Sequence, residues 1–507
     1  MPFNTIFSWI IKKRVHQIDL FRKYPIEVQK ELLESLLIAG RKTIYGQKHG
    51  FESIKNYQDF SKKVPLHDYE SIKPYINRAI EGEKNVLWPG ETKWFAKSSG
   101  TTSDRSKFIP VTKDSLEDCH YKGGKDLLAM YYANFPDSKI YSGKHLVIGG
   151  SAEQHMNRPD SYTGDLSSII LKNLPWWVEF KRIPSRETAL MSKWEEKIER
   201  LAIETMDEDV SSISGVPSWT LVLLNRILEI KGKKDIRDIW PNLELLMHGG
   251  VSFKPYENEF KKIIPHDDMH YVESYNASEG FFGIQDQIVG DLLLMLDYGV
   301  FFEFIPMSEF DGVHSKTVLG LKEVELGVNY ALVISTNGGL WRYIIGDTIK
   351  FTELNPYRFI VTGRTKHFIN VFGEEVVVEN ADVAVKYACD QTGALIKDYT
   401  ACPVYMEEGK AGGHEWLIEF KKMPSDMYLF TTSLDEKLRE VNSDYEAKRT
   451  ADLSLQPPII NVARENLFDD WLSSKEKLGG QHKVPRLANN RDFFEEIMVF
   501  QKAAKPL

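Results

Sequence analysis

Four short stretches of this chain hold residue types able to handle a nucleotide and an activated acid. The first, Ser98-Ser99-Gly100-Thr101-Thr102-Ser103-Asp104-Arg105-Ser106-Lys107, joins hydroxyls and a turn-permitting glycine to two cations. Hydroxyls, backbone N–H groups and cations are what phosphate oxygens require. The stretch lacks the Gly-Lys-Ser/Thr ending of a P-loop. In the second, residues 271–280, a strand ending in small residues presents Glu279 as an oxygen ligand for phosphate-bound Mg²⁺. Tyr275 in that stretch offers a ring for a base to stack on. The third, Trp341-Arg342-Tyr343-Ile344-Ile345-Gly346-Asp347, places after a strand a carboxylate that can accept both ribose hydroxyls, and Gly363-Arg364-Thr365-Lys366 follows one strand later. The fourth, residues 479–486, is a glycine-flanked loop that can carry Lys483 to an anionic reaction centre. Each has a plainer reading on its own: a solvated Ser/Thr loop, an ion-paired glutamate, a turn cap, a solvated lysine. Taken together in one chain, the four change the balance.

The elements that must position these residues follow from periodicity. Ile26, Leu32, Leu33, Leu36 and Leu37 recur at helical spacing, which predicts a helix within 25–44 that ends near Gly40. The β-rich run 145–149 reads as a buried strand. Ser192 and Glu195 predict a capping box for a helix whose face carries Trp194, Ile198, Leu201, Ala202 and Thr205. Pro217 suits the first turn of a helix that stops before Gly232, and 243–247 reads as a strand entering the Gly249-Gly250 turn. Strands alternating with helices predict an α/β architecture. Past residue 290 paired strands are expected: 292–296 and 300–305 around Asp297-Tyr298-Gly299, and 331–336 and 340–345 around Asn337-Gly338-Gly339. The last ~140 residues read as a separate α+β unit, with a hairpin (401–406 and 414–420) and a helix over 435–449.

A chain of 507 residues exceeds one hydrophobic core, so two or more domains are expected. The formal charge of −9, without a long basic tract, argues against nucleic acid as a partner. Cys119, Cys389 and Cys402 lie far apart with no metal-site spacing, as in a reducing cytoplasmic setting. The N-terminal apolar run precedes Lys12, Lys13 and Arg14, the reverse of a signal peptide. No run reaches the ~20 apolar residues of a membrane span, so an amphipathic helix packed on its own domain is expected and stable membrane insertion is not.

In order and rough spacing, the four stretches resemble those of adenylate-forming enzymes, and more closely those of the GH3 family of acyl acid amido synthetases. Tyr45-Gly46, Val64-Pro65, Gly215-Val216-Pro217-Ser218 and Gly249-Gly250-Val251-Ser252 extend the resemblance nearly end to end. It implies a large N-terminal α/β domain (1–368) of adenylate-forming type that binds ATP and the acyl substrate. A smaller, mobile C-terminal α+β domain (369–507) would carry the lysine loop. By the resemblance, Ser98, Ser99, Gly100, Thr101 and Thr102, with Lys107, would hold the ATP phosphates. Gly249, Gly250, Val251, Ser252, Tyr275, Asn276, Ala277 and Ser278 would frame the adenine and acyl pocket. Glu279 would bind Mg²⁺, Asp347 the ribose with Arg364 nearby, and Lys483 would swing in during adenylation. Ser99, Glu279 and Lys483 are the catalytic candidates. A carboxylic acid and an amine, most naturally an amino acid, would be the substrates. Two positions depart from the family pattern: Asp104 replaces a glycine of the phosphate loop, and Ile344 stands where Tyr-Arg-x-Gly-Asp has arginine.

Other chemistries find less support. His266 and His270 have the i, i+4 spacing of a helical metal pair, but Pro265 precedes them and a β-rich segment follows. Gly-x-Ser-x-Gly, His-Glu-x-x-His and Gly-x-Gly-x-x-Gly do not occur. Trp176, Trp177, Phe281, Phe282, Phe301 and Phe302 could line an acyl pocket or pack in the core. The alternatives to amide formation are a thioester-forming acyl-CoA synthetase and a non-catalytic binding protein of the same fold.

Overall fold

A computed structural model describes residues 14–99, 106–150, 152–155, 158, 161–174, 176–251, 253, 256–365, 368–407, 410–450, 454–474 and 484–503. A twelve-stranded sheet runs through the larger part of the molecule. From one edge the order is Arg182–Ile183, Lys144–Val147, Val210–Ser214, Leu245–His248, His270–Ala277 and Gly280–Gln285. It continues with Leu292–Leu294, Tyr357–Arg364, Tyr343–Leu354, Asn329–Thr336, Val300–Pro306 and Leu319–Gly320. The first five pair in parallel and the rest antiparallel, so His270–Ala277 is the seam. Parallel neighbours need long crossovers, and the helices Trp194–Thr205, Pro217–Lys231 and Glu257–Ile263 provide them.

The helix Pro217–Lys231 starts with proline in its first turn. Its last turn closes through the Lys233 N–H on the Leu228 carbonyl at 3.0 Å, with Gly232 left-handed at φ 62°. The helix Trp194–Thr205 buries Ile198, Leu201, Ala202 and Thr205, the face expected from periodicity. Its start differs from the expected capping box. Lys193 is the N-cap residue, with no side-chain cap, and the first helical residue Trp194 stacks on Trp219 at 3.9 Å. Ring packing in place of a Ser192 hydroxyl fixes the helix start.

The hairpin around Asn337-Gly338-Gly339 forms, with Ile334 opposite Tyr343. The pairing expected around Asp297-Tyr298-Gly299 does not. Leu292–Leu294 pairs with Gly280–Gln285 and Tyr357–Arg364, while Val300–Pro306 pairs with Asn329–Thr336. The intervening residues still turn, with Gly299 left-handed at φ 69°, but distant groups anchor them. Tyr298 donates to Asp126 Oδ2 at 2.7 Å, and Asp297 receives Arg14 at 2.8 Å and Lys122 at 3.1 Å.

A second sheet of three strands, Leu395–Val404, Gly413–Lys422 and Ile459–Ala463, contains the hairpin expected in the C-terminal part. The single helix expected over 435–449 is two, Met427–Val441 and Ser443–Arg449. Asn442 breaks it by adopting an extended backbone, accepting the Tyr445 N–H and donating to the Glu375 carbonyl at 3.1 Å. One hydrophobic cluster joins the N-terminal helices to the antiparallel strands. Another joins the parallel strands and Trp219 to Phe372, Tyr399 and Trp416. Among the described residues no helix is long and apolar enough to cross a membrane.

Candidate active site

Where the parallel and antiparallel halves meet, a cleft of about 3030 Å³ opens over the end of the His270–Ala277 strand. That strand delivers Tyr275 to the cleft wall, where the ring is buried and meets Phe282 and Phe359 edge-on at 5.0 and 6.1 Å. Its hydroxyl donates to Asp347 Oδ2 at 2.5 Å. Asp347 lies within the strand Tyr343–Leu354, in register with Arg364 on the neighbouring strand. Arg364 donates from Nε to Asp347 Oδ1 at 2.9 Å, and its two Nη atoms reach Glu375 at 3.1 and 3.3 Å. Two partners leave lone pairs on a carboxylate, which has about four acceptor positions, so Asp347 can still take a diol.

The tight connection after Tyr275 places Asn276, Ala277, Ser278 and Glu279 along the same wall. Glu279 is half-buried, and removal from water is the main reason its carboxyl is pushed up to about 7. Lys107 opposes that shift, Asp347 adds to it, and Arg364 also opposes it. Lys107 itself is held below the usual lysine range by burial, with Glu279 as its first opposing charge. It enters the cleft from the strand Ser106–Val111, paired at Ser98 with the strand Trp94–Ser99. Its ammonium lies 5.8 Å from the centre of the Tyr69 ring.

Gly249, Gly250 and Val251 follow the strand Leu245–His248 into the cleft. A side chain at Gly249 would bring its Cβ within 2.3 Å of the Ser274 carbonyl, so only glycine lets these two segments approach. The cleft therefore gathers Ser98, Lys107, Gly249 to Val251, Tyr275 to Glu279, Asp347 and Arg364. Ser99 ends its strand without a described side chain, and Gly100, Thr101, Thr102, Asp104, Ser252 and Lys483 lie outside the described residues. The chain just after Lys483 is held on the C-terminal sheet: Thr400 donates to the Pro485 carbonyl at 2.6 Å and the Ala401 N–H to that of Arg486 at 2.9 Å.

Tyr121, Ile170, Leu171, Leu174 and Val178 line a more apolar part of the cleft. His145 and His248 also face it, and burial pushes them down to about 4 and about 3, so both are neutral at ordinary pH. Phe281 joins this lining, whereas Phe282, Phe301 and Phe302 are core; the side chains of Trp176 and Trp177 are not among those described. His266 bonds Asp235 and His270 bonds Tyr131. Ile344 packs with Leu66, Ile305, Ala331 and Val333, which gives the departure at this position an apolar setting. Arg342 pairs with buried Glu303 at 2.9 Å and donates to the Val64 carbonyl at 2.8 Å, tying the N-terminal helices to the strand.

Sequence reasoning did not find Glu375, Lys197 or Lys448. Glu375 follows a loop without a recognisable pattern. Lys448 sits in Tyr-Glu-Ala-Lys-Arg, indistinguishable from a solvated helix face.

Three family models match the chain: the GH3 family N-terminal domain over 14–269, the central domain over 293–364 and the C-terminal domain over 379–492. A 4-substituted benzoates–glutamate ligase (GH3.12) of Arabidopsis thaliana is 25% identical, covering 90% of this chain and 92% of that protein. A jasmonoyl–L-amino acid synthetase (GH3.5) of Oryza sativa subsp. japonica is 22% identical over 94% and 95%. Among solved structures, an acyl acid amido synthetase in complex with 2,4-DB has a TM-score of 0.59 at 18% identity, covering 93% of each chain. A 2-hydroxyisobutyryl-CoA ligase has 0.58 at 12%, covering 94% of this chain and 92% of its own. At these identities the solved structures speak for the fold.

Proposed function

The chain belongs to the GH3 family, and from that premise we propose that this ligase joins a carboxylic acid to an amino acid through an acyl-adenylate. The observation that carries the reading is Asp347, pinned between Tyr275 and Arg364 on a cleft wall shared with Glu279 and Lys107. Curated relatives that match nearly end to end are named as ligases joining acids to amino acids.

A carboxylate is a poor acyl donor because its leaving group is oxide. Attack of the acid oxygen on the α-phosphorus of ATP forms a C–O–P link and expels pyrophosphate. The acceptor, as its free amine, then attacks the acyl carbon, the C–N bond forms, the nitrogen releases a proton to solvent, and AMP leaves with the electron pair of the broken C–O bond. Positioning and charge neutralisation supply most of what such displacements need.

In this assignment Asp347 takes the ribose hydroxyls, oriented by Arg364. Gly249 to Ser252 and the Tyr275 to Ser278 segment frame the adenine and acyl pocket. Ser98 to Thr102 and Lys107 take the phosphates. Glu279 suits Mg²⁺, a hard cation usually held by one or two carboxylates plus substrate phosphates. Its half-buried carboxyl, raised by burial and incompletely offset by Lys107, favours a cation beside it. Bound there, Mg²⁺ would neutralise phosphate charge. Residues 1–368 form the domain for ATP and acid, and 369–507 the mobile domain that carries Lys483 to the adenylation centre.

The test is nucleotide product analysis with ATP, Mg²⁺, a panel of carboxylic acids, and amino acids added or withheld. The reading requires acid-dependent AMP and pyrophosphate, with an amide by mass spectrometry. ADP as the only nucleotide product would sink it. A product formed only with coenzyme A, and no amide, would move the chain to thioester formation.

A further inference from the structure

Amide formation, on the reading above, needs a place for the acceptor, and an amino acid arrives as a zwitterion. One wall of the cleft, apart from the Tyr275–Asp347 pair, is built from Trp194 and Trp219, stacked at 3.9 Å with their planes 7° apart. Two lysines attend this wall. Lys197 lies 4.5 Å from the centre of the Trp194 ring, but its ammonium is taken up by the carbonyls of Gly149 at 2.6 Å and Gly150 at 3.1 Å. Lys448, from the helix Ser443–Arg449, lies 4.7 Å from the centre of Trp219 and 5.9 Å from that of Trp194.

Lys448 is only 9% exposed and lines the cleft. Among the described residues its ammonium has no hydrogen bond or ion pair, only the indole faces. A cation so placed is held by ring quadrupoles and keeps its three donors for something else. Burial pushes it down to about 8, a strain that a bound anion relieves. The backbone is shaped around it as well. Gly373 is left-handed at φ 88°, and a Cβ there would come within 3.2 Å of Lys448 Cε and 3.4 Å of Nζ.

The surrounding charges decide which anion fits. Asp444, Glu374 and Asp165 are the carboxylates whose fields reach Lys448. Glu374 is engaged by His414 at 2.9 Å; Asp444 and Asp165, each with interactions of its own, line the cleft. Three carboxylates around one cation disfavour a polyphosphate. They suit a ligand that carries an ammonium beside its carboxylate. We propose that Lys448 binds the α-carboxylate of the acceptor amino acid, with the Trp194–Trp219 pair as the wall beside it and Asp165 and Asp444 facing the acceptor's ammonium.

The full-length enzyme is tested with one activated acid and two acceptor mixtures: the twenty amino acids, and the same residues as carboxamides. Conjugates are counted by mass spectrometry, and acid-dependent ATP–pyrophosphate exchange is measured in parallel. In Lys448→Met, which keeps an apolar stem, the preference for free acids over carboxamides should fall at least about tenfold, as expected on losing a charge-assisted contact. Amide formation should fall relative to exchange, and Lys448→Arg should recover part of the preference. An unchanged preference in a variant that still exchanges pyrophosphate would overturn the assignment. So would loss of exchange with the melting temperature retained, since that would place Lys448 in adenylation. If the unaltered enzyme exchanges no pyrophosphate with any acid, the ligase reading itself fails, an outcome distinct from both.

Discussion

The Tyr275 phenol and the Asp347 carboxylate, 72 residues apart in sequence, are joined by a 2.5 Å hydrogen bond across the floor of the cleft. The bond ties the last parallel strand, His270–Ala277, to the long strand of the antiparallel half. On the proposed ribose assignment, nucleotide binding would depend on this hydroxyl as well as on Asp347 itself. Removing the hydroxyl in Tyr275→Phe leaves Asp347 held by Arg364 alone. ATP affinity should weaken roughly fivefold to tenfold, the range of one net hydrogen bond. Asp347→Ala should weaken it further without unfolding the chain, because Arg364 keeps Glu375. Calorimetric titration with ATP checks both, and unchanged affinity in Asp347→Ala would remove the ribose assignment.

Gly249→Ala tests the close approach beside that floor. A methyl group there would stand 2.3 Å from the Ser274 carbonyl, a backbone atom that cannot rotate away. The two segments must separate, and overpacking of this kind costs about 1–3 kcal/mol. A lower urea midpoint with weakened ATP binding is expected. A wild-type midpoint would mean the strands have slack here.

Glu279 makes a prediction about pH. Its carboxyl is raised from 4.5 to about 7 in the folded chain, so between those values the folded state binds more protons than the unfolded one. Stability therefore falls as pH rises through that window and levels off above it. Glu279→Gln removes this contribution. Without metal or nucleotide, the variant should gain on the parent chain from about pH 5 to about pH 8, read from urea midpoints. A constant difference across that range would show that Glu279 titrates normally.

Lys483→Ala bears on the division of labour between the two parts of the chain. The residues after it are bound to the C-terminal sheet through Thr400 and Ala401, so a movement of that sheet would carry the lysine with it. Adenylation should drop at least about a hundredfold, as when a preorganised charge is removed from a developing one, with ATP binding largely kept. Wild-type pyrophosphate exchange would take Lys483 out of the mechanism.

What the sequence disclosed, and what it hid, follows from how far each signal reaches. Local chemistry was readable: the Pro217 start, the Asn337-Gly338-Gly339 hairpin and the apolar stripe of 194–205 depend on neighbours in sequence. The Asp297-Tyr298-Gly299 segment looked like a turn by the same local rules. Its conformation is set by Arg14, Lys122 and Asp126, each more than 150 residues away, and no pattern within the segment carries that information. The site divides likewise. Glu279 and Asp347 sit in short motifs, whereas Lys448 becomes notable only when two tryptophans from another part of the chain close over it.

Ile344 brings that lesson to a single substitution. Restoring arginine, the residue of the family pattern, would complete the motif before Asp347 in sequence. Here the position is 8% exposed and surrounded by Leu66, Ile305, Ala331 and Val333. Its N–H already donates to the His67 carbonyl at 2.7 Å, so the backbone is not free to move the side chain elsewhere. A guanidinium pushed into these contacts has lost its water without gaining a carboxylate, and an unpaired buried charge costs several kcal/mol. Ile344→Arg should therefore lower the melting temperature and the yield of folded protein, without raising adenylation per folded molecule. Thermal melts beside pyrophosphate exchange check this. A variant as stable as the parent and faster in exchange would mean that the apolar shelf can open to seat an arginine.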